Sequence, residues 1–446
     1  MEEFIQRLEE SNACLKIGNT INFMESFNGS NESRDNLRKK IEPWLSAILQ
    51  SEHVSLLLGA GLTMAVGNLA KIPSSSMNKA EFGEFNKKIN IYAEESAKKM
   101  GRGTANIEDQ IRTSIELLHG YEIDENIKNI EKLGKCVDNV LSDFGNSILK
   151  TENDFREKLE REDTDADLAL TILKSFLMTF SSRVATRNRL HIFTTNYDRF
   201  IEYACDYAGI RILDRFNGKI NPYFEEAPQN LDYYYRTPDS KNEFRFAENV
   251  VKYSKIHGSI DWIYKKNRIY RASMMFGAEK IMEIDTDTYK DQLMIYPNPM
   301  KSIETSYYPY SELFRDFSGA VCRPNSALIT YGYSFGDSHI NKILIEMLHI
   351  PSAHIVIISY SVDERLINFL KKVNLAQVSL LCGSELGDLM NLVRYYLPKP
   401  AIDNITLSVS KLIRDREGDP TSTESNIEEM IGIKDLSCEE AGVDNE

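Results

Sequence analysis

The chain has 446 residues, 42% of them hydrophobic, which is enough to bury a large core and, by length alone, to form two or three domains. Its 53 basic and 67 acidic side chains give a formal charge of −14, so no general excess of positive charge is available for phosphate neutralisation, and direct nucleic-acid binding is not expected. The local basic run of Lys252, Lys255, Lys265, Lys266, Arg268 and Arg271 reads as a solvated face. Cys14, Cys136, Cys205, Cys322, Cys382 and Cys438 form no CxxC pair, which predicts reduced thiols and no zinc site. With no basic-then-apolar leader and no apolar run near the ~18 residues of a membrane span, the expectation is a soluble, cytoplasmic protein.

Residues 1–50 read as a helical N-terminal segment. Phe4, Ile5 and Leu8 make one apolar stripe, and Leu45, Ile48 and Leu49 make another that begins after Pro43. Val54–Leu58 is a short apolar run ending in Gly59-Ala60-Gly61, as in a strand buried on both faces that stops at a glycine turn. From about 78 to 188 the chain is rich in lysine and glutamate with helical periodicity, as in Ile107, Ile111, Ile115 and Leu118 after a candidate Asn106 cap. That stretch predicts a helical insertion. A strand follows at His191–Thr195, then a helix carrying Phe200, Ile201, Ala204 and Tyr207.

Residues 210–325, rich in Tyr, Asn and Pro, predict only a small subdomain. Alternation then resumes with a strand at Ala327–Tyr331, a helix from Ile340 to Leu348 and a strand at His354–Ile358. A helix at 363–372, a strand at Val378–Leu381 and a helix at 386–396 complete the series. The fold class is α/β: a Rossmann-like, doubly wound parallel sheet over residues 51–400 with the helical insertion and the helical N-terminal segment. Residues 401–446 are acidic and nearly free of aromatic side chains, and predict a disordered tail.

Four motifs sit at strand ends. Gly59-Ala60-Gly61-Leu62-Thr63 has the composition of a phosphate-cradling turn, although Met64 stands where a dinucleotide fingerprint has its third glycine. Thr194-Thr195-Asn196-Tyr197-Asp198 places an amide and a carboxylate at a strand's carboxyl end, where they either cap the next helix or face a ligand. His257-Gly258 sets an imidazole beside a glycine. It is a hydrogen-bonded structural residue or a general base, with His339 as its rival. Tyr331-Gly332-Tyr333-Ser334-Phe335-Gly336-Asp337 is another strand-to-helix loop or a second cradle for cofactor oxygens.

In order and joint presence these motifs resemble the sirtuin family, which carries Gly-Ala-Gly-x-Ser/Thr, Thr-Gln-Asn-x-Asp, His-Gly and Gly-x-Ser in the same sequence. The resemblance spans roughly residues 50–400. It implies NAD⁺ as substrate, with Gly59, Ala60, Gly61, Thr63, Thr194, Asp198, Gly332, Ser334 and Phe335 binding it. It also implies that Asn196 orients the ribose hydroxyls or the attacking water, and that His257 acts as general base. Three departures stand out: the paired CxxC motifs of protein deacylases are absent, Thr195 replaces their glutamine, and Ile72-Pro73-Ser74 is only a distant echo of their Pro-Asp-Phe-Arg loop.

In these respects the chain looks like the zinc-free prokaryotic sirtuin-like proteins of anti-phage defence. That resemblance implies NAD⁺ depletion on infection and a partner such as a HerA-type DNA translocase ATPase. The expected activity is NAD⁺ glycohydrolysis. The alternatives are an NAD⁺-dependent protein deacylase and a non-catalytic sensor of NAD⁺ or ADP-ribose. The extensive helical segments further suggest packing between subunits in a homo-oligomer.

Overall fold

A computed structural model describes residues 2–399 except 25–26, 28, 76, 100–103, 184–186, 226–231, 237–243, 248, 266–267 and 280–308; the predicted acidic tail lies outside the described residues. Residues 1–398 form one compact unit. At its centre is a nine-stranded sheet in the order β2-β1-β15-β14-β13-β3-β4-β10-β5. The strands are β1 (Cys14–Ile17), β2 (Thr20–Phe23), β3 (His53–Leu58), β4 (His191–Thr194), β5 (Arg211–Leu213), β10 (Val250–Lys255), β13 (Ser326–Tyr331), β14 (His354–Ser359) and β15 (Val378–Cys382).

From β15 to β5 every pairing is parallel. The run β10-β4-β3-β13-β14-β15 has the 3-2-1-4-5-6 order of a doubly wound sheet, in which the chain reverses its direction of travel between strands 1 and 4. Here that switch point lies between β3 and β13.

Alternation along the strands explains the two-sided core. Val54, Leu56 and Leu58 of β3 and Ala327, Ile329 and Tyr331 of β13 face one cluster. Leu57 and Leu328 face the other. The first face is covered by α2 (Asn31–Leu49), α3 (Ala60–Leu69), α7 (Thr164–Ser181) and α8 (Phe200–Tyr207). The second is covered by α1 (Glu2–Ser11), α9 (Tyr310–Val321), α10 (Ser338–Met347) and α11 (Glu364–Leu370). Burial of apolar side chains on both faces is why these strands read as nearly continuous apolar runs.

The N-terminal 50 residues differ from the expected helical segment. Cys14–Ile17 and Thr20–Phe23 form a hairpin, and β1 pairs antiparallel with β15, closing that edge of the sheet. Each strand has only four residues, too few for a period of two to stand out beside the helical stripes around them. Pro43 lies inside α2 rather than at its start, in a helix that buries Leu37, Ile41 and Leu45 along one side. The segment is therefore part of the main core and not a separate appendage.

Between α3 and β4 lie α4 (Asn86–Lys99), α5 (Ile107–Ile123) and α6 (Ile127–Glu160), with α7 returning to the sheet. Asn106 caps α5 in a reciprocal box with Asp109. Within 210–325, β5 and β10 belong to the central sheet, and the subdomain is a four-stranded sheet in the order β11-β12-β7-β6. It is made of β6 (Phe216–Asn217), β7 (Tyr223–Phe224), β11 (Trp262–Lys265) and β12 (Arg268–Arg271), while β8 (Tyr234–Arg236) and β9 (Phe244–Phe246) pair separately. No helix among the described residues is long and apolar enough to cross a membrane.

Two histidines of the central sheet are neutral by construction. Burial pushes His191 down to about 3 and His354 to about 4, and each ring hydrogen-bonds a serine hydroxyl, Ser254 and Ser379 respectively. In the unfolded chain each takes up a proton near pH 6.5, whereas the folded protein resists it. Stability is therefore retained above pH 6.5 and falls as pH drops from there toward 4, by about 1.4 kcal/mol per pH unit for each histidine. Melting temperatures measured between pH 7.5 and 5 are expected to fall accordingly, and His354→Gln to fall less steeply than the parent.

Candidate active site

The loops that end β3 and β13 meet at the switch point with almost no space between them. Gly59 N donates to Tyr331 O and Gly61 N donates to Gly332 O, both at 3.0 Å. A Cβ on Gly59 would lie 2.5 Å from Gly332 O, and one on Gly61 would lie 2.6 Å from Gly332 Cα. Gly332 has φ +62° as well, so its position excludes a side chain on two counts. These glycines let one loop lie on the other.

Beside that contact lies a cavity of about 510 Å³, lined by Gly59, Ala60 and Thr63 of the first loop, Asn196, Tyr197 and Asp198 of the second motif, and His257, Ser334 and Asp337. Its size falls within the ~300–1,000 Å³ of small-molecule sites. Asn196, Asp198, His257, Thr63, Gly59, Ala60 and Ser334 are thus brought together. Gly61, Gly332, Thr194 and Phe335 are not among the lining residues. Thr194 Oγ1 donates to Leu58 O and accepts from Asn196 N, holding the second loop against β3. Phe335 packs in the core near Phe369 and Tyr333. The last four shape the site from behind.

The Asn196 amide is fixed by its neighbours. Its Nδ2 donates to Gly59 O and to Thr63 Oγ1, both at 3.0 Å, and Thr63 Oγ1 donates to Asp198 Oδ2 at 2.6 Å. Because a carbonyl can only accept, Nδ2 must face Gly59 and Oδ1 must point the other way. Oδ1 is buried and has no hydrogen-bond partner among the described residues. An orphaned acceptor of this kind beside a cavity fits a ligand that brings a hydroxyl. Asp198 also accepts from Phe200 N at 3.3 Å, so it caps α8 and braces the site at once.

The motif around Asn196 is held from two directions. Buried Lys255, at the end of β10, donates through Nζ to Tyr197 O, Asp198 O and Glu202. From the other side, Arg199 Nη2 meets Glu152 Oε2 of α6 at 2.6 Å, while Arg199 N and Gly277 N donate to the same carboxylate. Burial pushes the Glu152 carboxyl up, and the Arg199 guanidinium with the Gly277 N–H pulls it back. Removing one partner of a buried pair typically costs about 3–5 kcal/mol. Glu152→Ala is expected to lower the melting temperature strongly, and pairing Glu152→Leu with Arg199→Met to recover part of that loss.

His257 lies in the turn that follows β10, next to Gly258 with φ +88°. Its Nε2 is 2.9 Å from Asp337 Oδ2, and the other Asp337 oxygen accepts from His339 N and Ile340 N at the start of α10. One carboxylate therefore caps a helix and orients the imidazole. His339 itself contributes its backbone to the cap and sets its ring near Phe314. The motif containing Asp337 was visible in the sequence, but its partnership with a histidine 80 residues earlier was not.

The insertion supplies the rest of the wall: Asn106, Glu108 and Asp109 from the start of α5, and Phe144, Ile148 and Thr151 from α6. Ser74, Ser75 and Met77 also line it, with Ser75 N donating to Thr151 Oγ1 at 2.9 Å. The faint loop echo at Ile72-Pro73-Ser74 therefore leads into the site. Tyr197 is buried between α6 and the site, and burial raises its phenol well above its ordinary value, so it stays neutral.

A family model described as a SIR2-like domain matches residues 190–377. Residues 190–377 are a SIR2-like domain. No curated protein matches the chain. The SIR2-like domain contains Asn196, Asp198, His257, Ser334 and Asp337, whereas the Gly59 loop and the α5–α6 wall precede it. No group of three or more His, Cys, Asp or Glu side chains suited to a metal occurs among the described residues.

The contact between His257 and Asp337 generates a prediction. Asp337→Asn keeps the shape but removes the carboxylate that orients the imidazole. It is expected to lower kcat roughly ten- to a hundredfold with little change in KM or melting temperature, a split that a purely structural role would not produce.

Proposed function

We propose that the protein is an NAD⁺ glycohydrolase that releases nicotinamide and ADP-ribose. The observation that carries this reading is the convergence, on one cavity at the switch point, of an orphaned Asn196 Oδ1 and a carboxylate-held His257. Nicotinamide leaves as a neutral molecule, so the site has no leaving group to protonate. It has to accommodate an oxocarbenium-like ribose and present a nucleophile. Asn196 Oδ1 accepts a hydrogen bond from a ribose hydroxyl or from the attacking water. His257 takes the proton released as the new C–O bond forms, a contribution of typically ~10²–10⁴-fold. Asp198 and Thr63 keep the Asn196 amide from rotating.

Water is favoured over an acyl oxygen as nucleophile because the sequence lacks the CxxC pairs that brace the acyl-lysine side of deacylases. A sensor without catalysis has no use for an oriented base. By its resemblance to zinc-free defence proteins, we assign the activity to NAD⁺ depletion in the cytoplasm during phage infection, as a homo-oligomer with a HerA-type translocase as partner. Light scattering of the purified protein, and NAD⁺ levels in infected cells with and without that partner, test this assignment.

The chemical reading has a direct test. Purified protein incubated with NAD⁺ alone is expected to release nicotinamide and ADP-ribose, and Asn196→Ala and His257→Ala are each expected to lose at least ~10²-fold in turnover while remaining folded. Nicotinamide release only when acetyl-lysine peptide is added, with acetylated ADP-ribose as product, identifies a deacylase instead.

A further inference from the structure

The cavity wall has an uneven charge distribution. Four carboxylates line it, Glu108, Asp109, Asp198 and Asp337, and among the described lining residues a single Lys or Arg side chain, Arg365, opposes them. Arg365 lies in the first turn of α11, just beyond β14, and its guanidinium rests over Gly336. A Cβ built at Gly336 would sit 3.0 Å from Arg365 Nη1 and 3.4 Å from Ser334 Oγ. The glycine leaves room for a planar cation and a hydroxyl to converge on the cavity from the loop after β13. A dinucleotide diphosphate carries two negative charges, and placing them beside four carboxylates without a cation is unfavourable in a partly dry site.

We propose that Arg365 is the anchor for the substrate's diphosphate and that it gives the enzyme its preference for a dinucleotide over an unphosphorylated nicotinamide riboside. This rests on the glycohydrolase reading for the identity of the substrate but not for the existence of the anion site. An arginine suits the role because its fork of N–H donors engages two phosphate oxygens at once while keeping its charge at any working pH. The first glycine loop contributes complementary partial charge, since α3 begins at Ala60 with its N-terminal, positive end at the cavity edge. Sequence reasoning missed Arg365 because it stands alone in an ordinary amphipathic helix, with no glycine or histidine beside it.

The test uses the full-length protein, ADP as a calorimetric probe, and two substrates, NAD⁺ and nicotinamide riboside. Arg365→Gln is expected to weaken ADP binding and to lower the kcat/KM ratio of NAD⁺ to nicotinamide riboside by about ten- to a hundredfold each, the usual loss for a charge-assisted hydrogen bond. Arg365→Lys, which keeps the charge but not the fork, falls between the two and remains informative if the glutamine variant fails to fold.

Unchanged ADP affinity in the glutamine variant overturns the proposal, as does an equal loss of kcat/KM for both substrates or a parent protein that does not bind ADP. If the parent binds ADP through Arg365 but releases no nicotinamide from NAD⁺, the anion anchor stands and the glycohydrolase reading falls.

Discussion

The site depends on one backbone contact, the crossing of Gly59 and Gly61 against Gly332 at the switch point of the sheet. Connections that leave β3 and β13 toward opposite edges of the sheet leave a crevice at the strands' carboxyl ends. Whether that crevice is deep or shallow depends on how closely the two loops that leave it can approach. Here three glycines bring the main chains to within hydrogen-bonding distance. Thr63 and the start of α3 are thereby set next to Asn196, and Ser334 and Asp337 next to His257. A side chain at any of the three glycines would spread the loops and separate groups that must act on one ligand.

Around that contact the protein uses buried polar side chains as struts. Lys255, Arg199 and Glu152 are withdrawn from solvent and paired, and all three bear on residues 197–199. Burying charge in this way contributes little net stability compared with a well-packed apolar alternative. What it does give is a fixed position for a short loop whose own side chains are occupied in the site. Asp337 works in the same way, joining a helix cap to the imidazole. The carboxylate that begins α10 therefore links that helix's position to the orientation of His257.

Much of this architecture was legible in the sequence. The apolar runs at Val54–Leu58, His191–Thr195, Ala327–Tyr331, His354–Ile358 and Val378–Leu381 all became adjacent parallel strands, because strands buried on both faces have a composition that little else imitates. Asn196 and His257 stood out because each sits against a glycine turn or a strand end. The β1–β2 hairpin did not, since four-residue strands between helices leave no measurable period. Nor could the roles of the glycines be separated in advance: a Gly-Ala-Gly sequence looks the same whether its missing side chains make room for a phosphate or for another loop. Phe335 shows the same ambiguity in reverse. It lies within a site motif, yet with φ +53° and a buried ring it belongs to the core behind it.

The chemical groups and the cavity wall come from different stretches of chain. Asn196, His257 and Asp337 lie in the SIR2-like domain, while Glu108, Phe144 and Ile148 arrive from helices that precede it. The candidate site and the chamber wall around it thus come from separate stretches of chain, joined where Glu152 of α6 pairs with Arg199 behind Asn196. A lineage could vary the cavity-facing Glu108, Phe144 and Ile148 to admit a bulkier or differently charged molecule, provided that Glu152 on the same hairpin stays in place to hold the loop of Asn196.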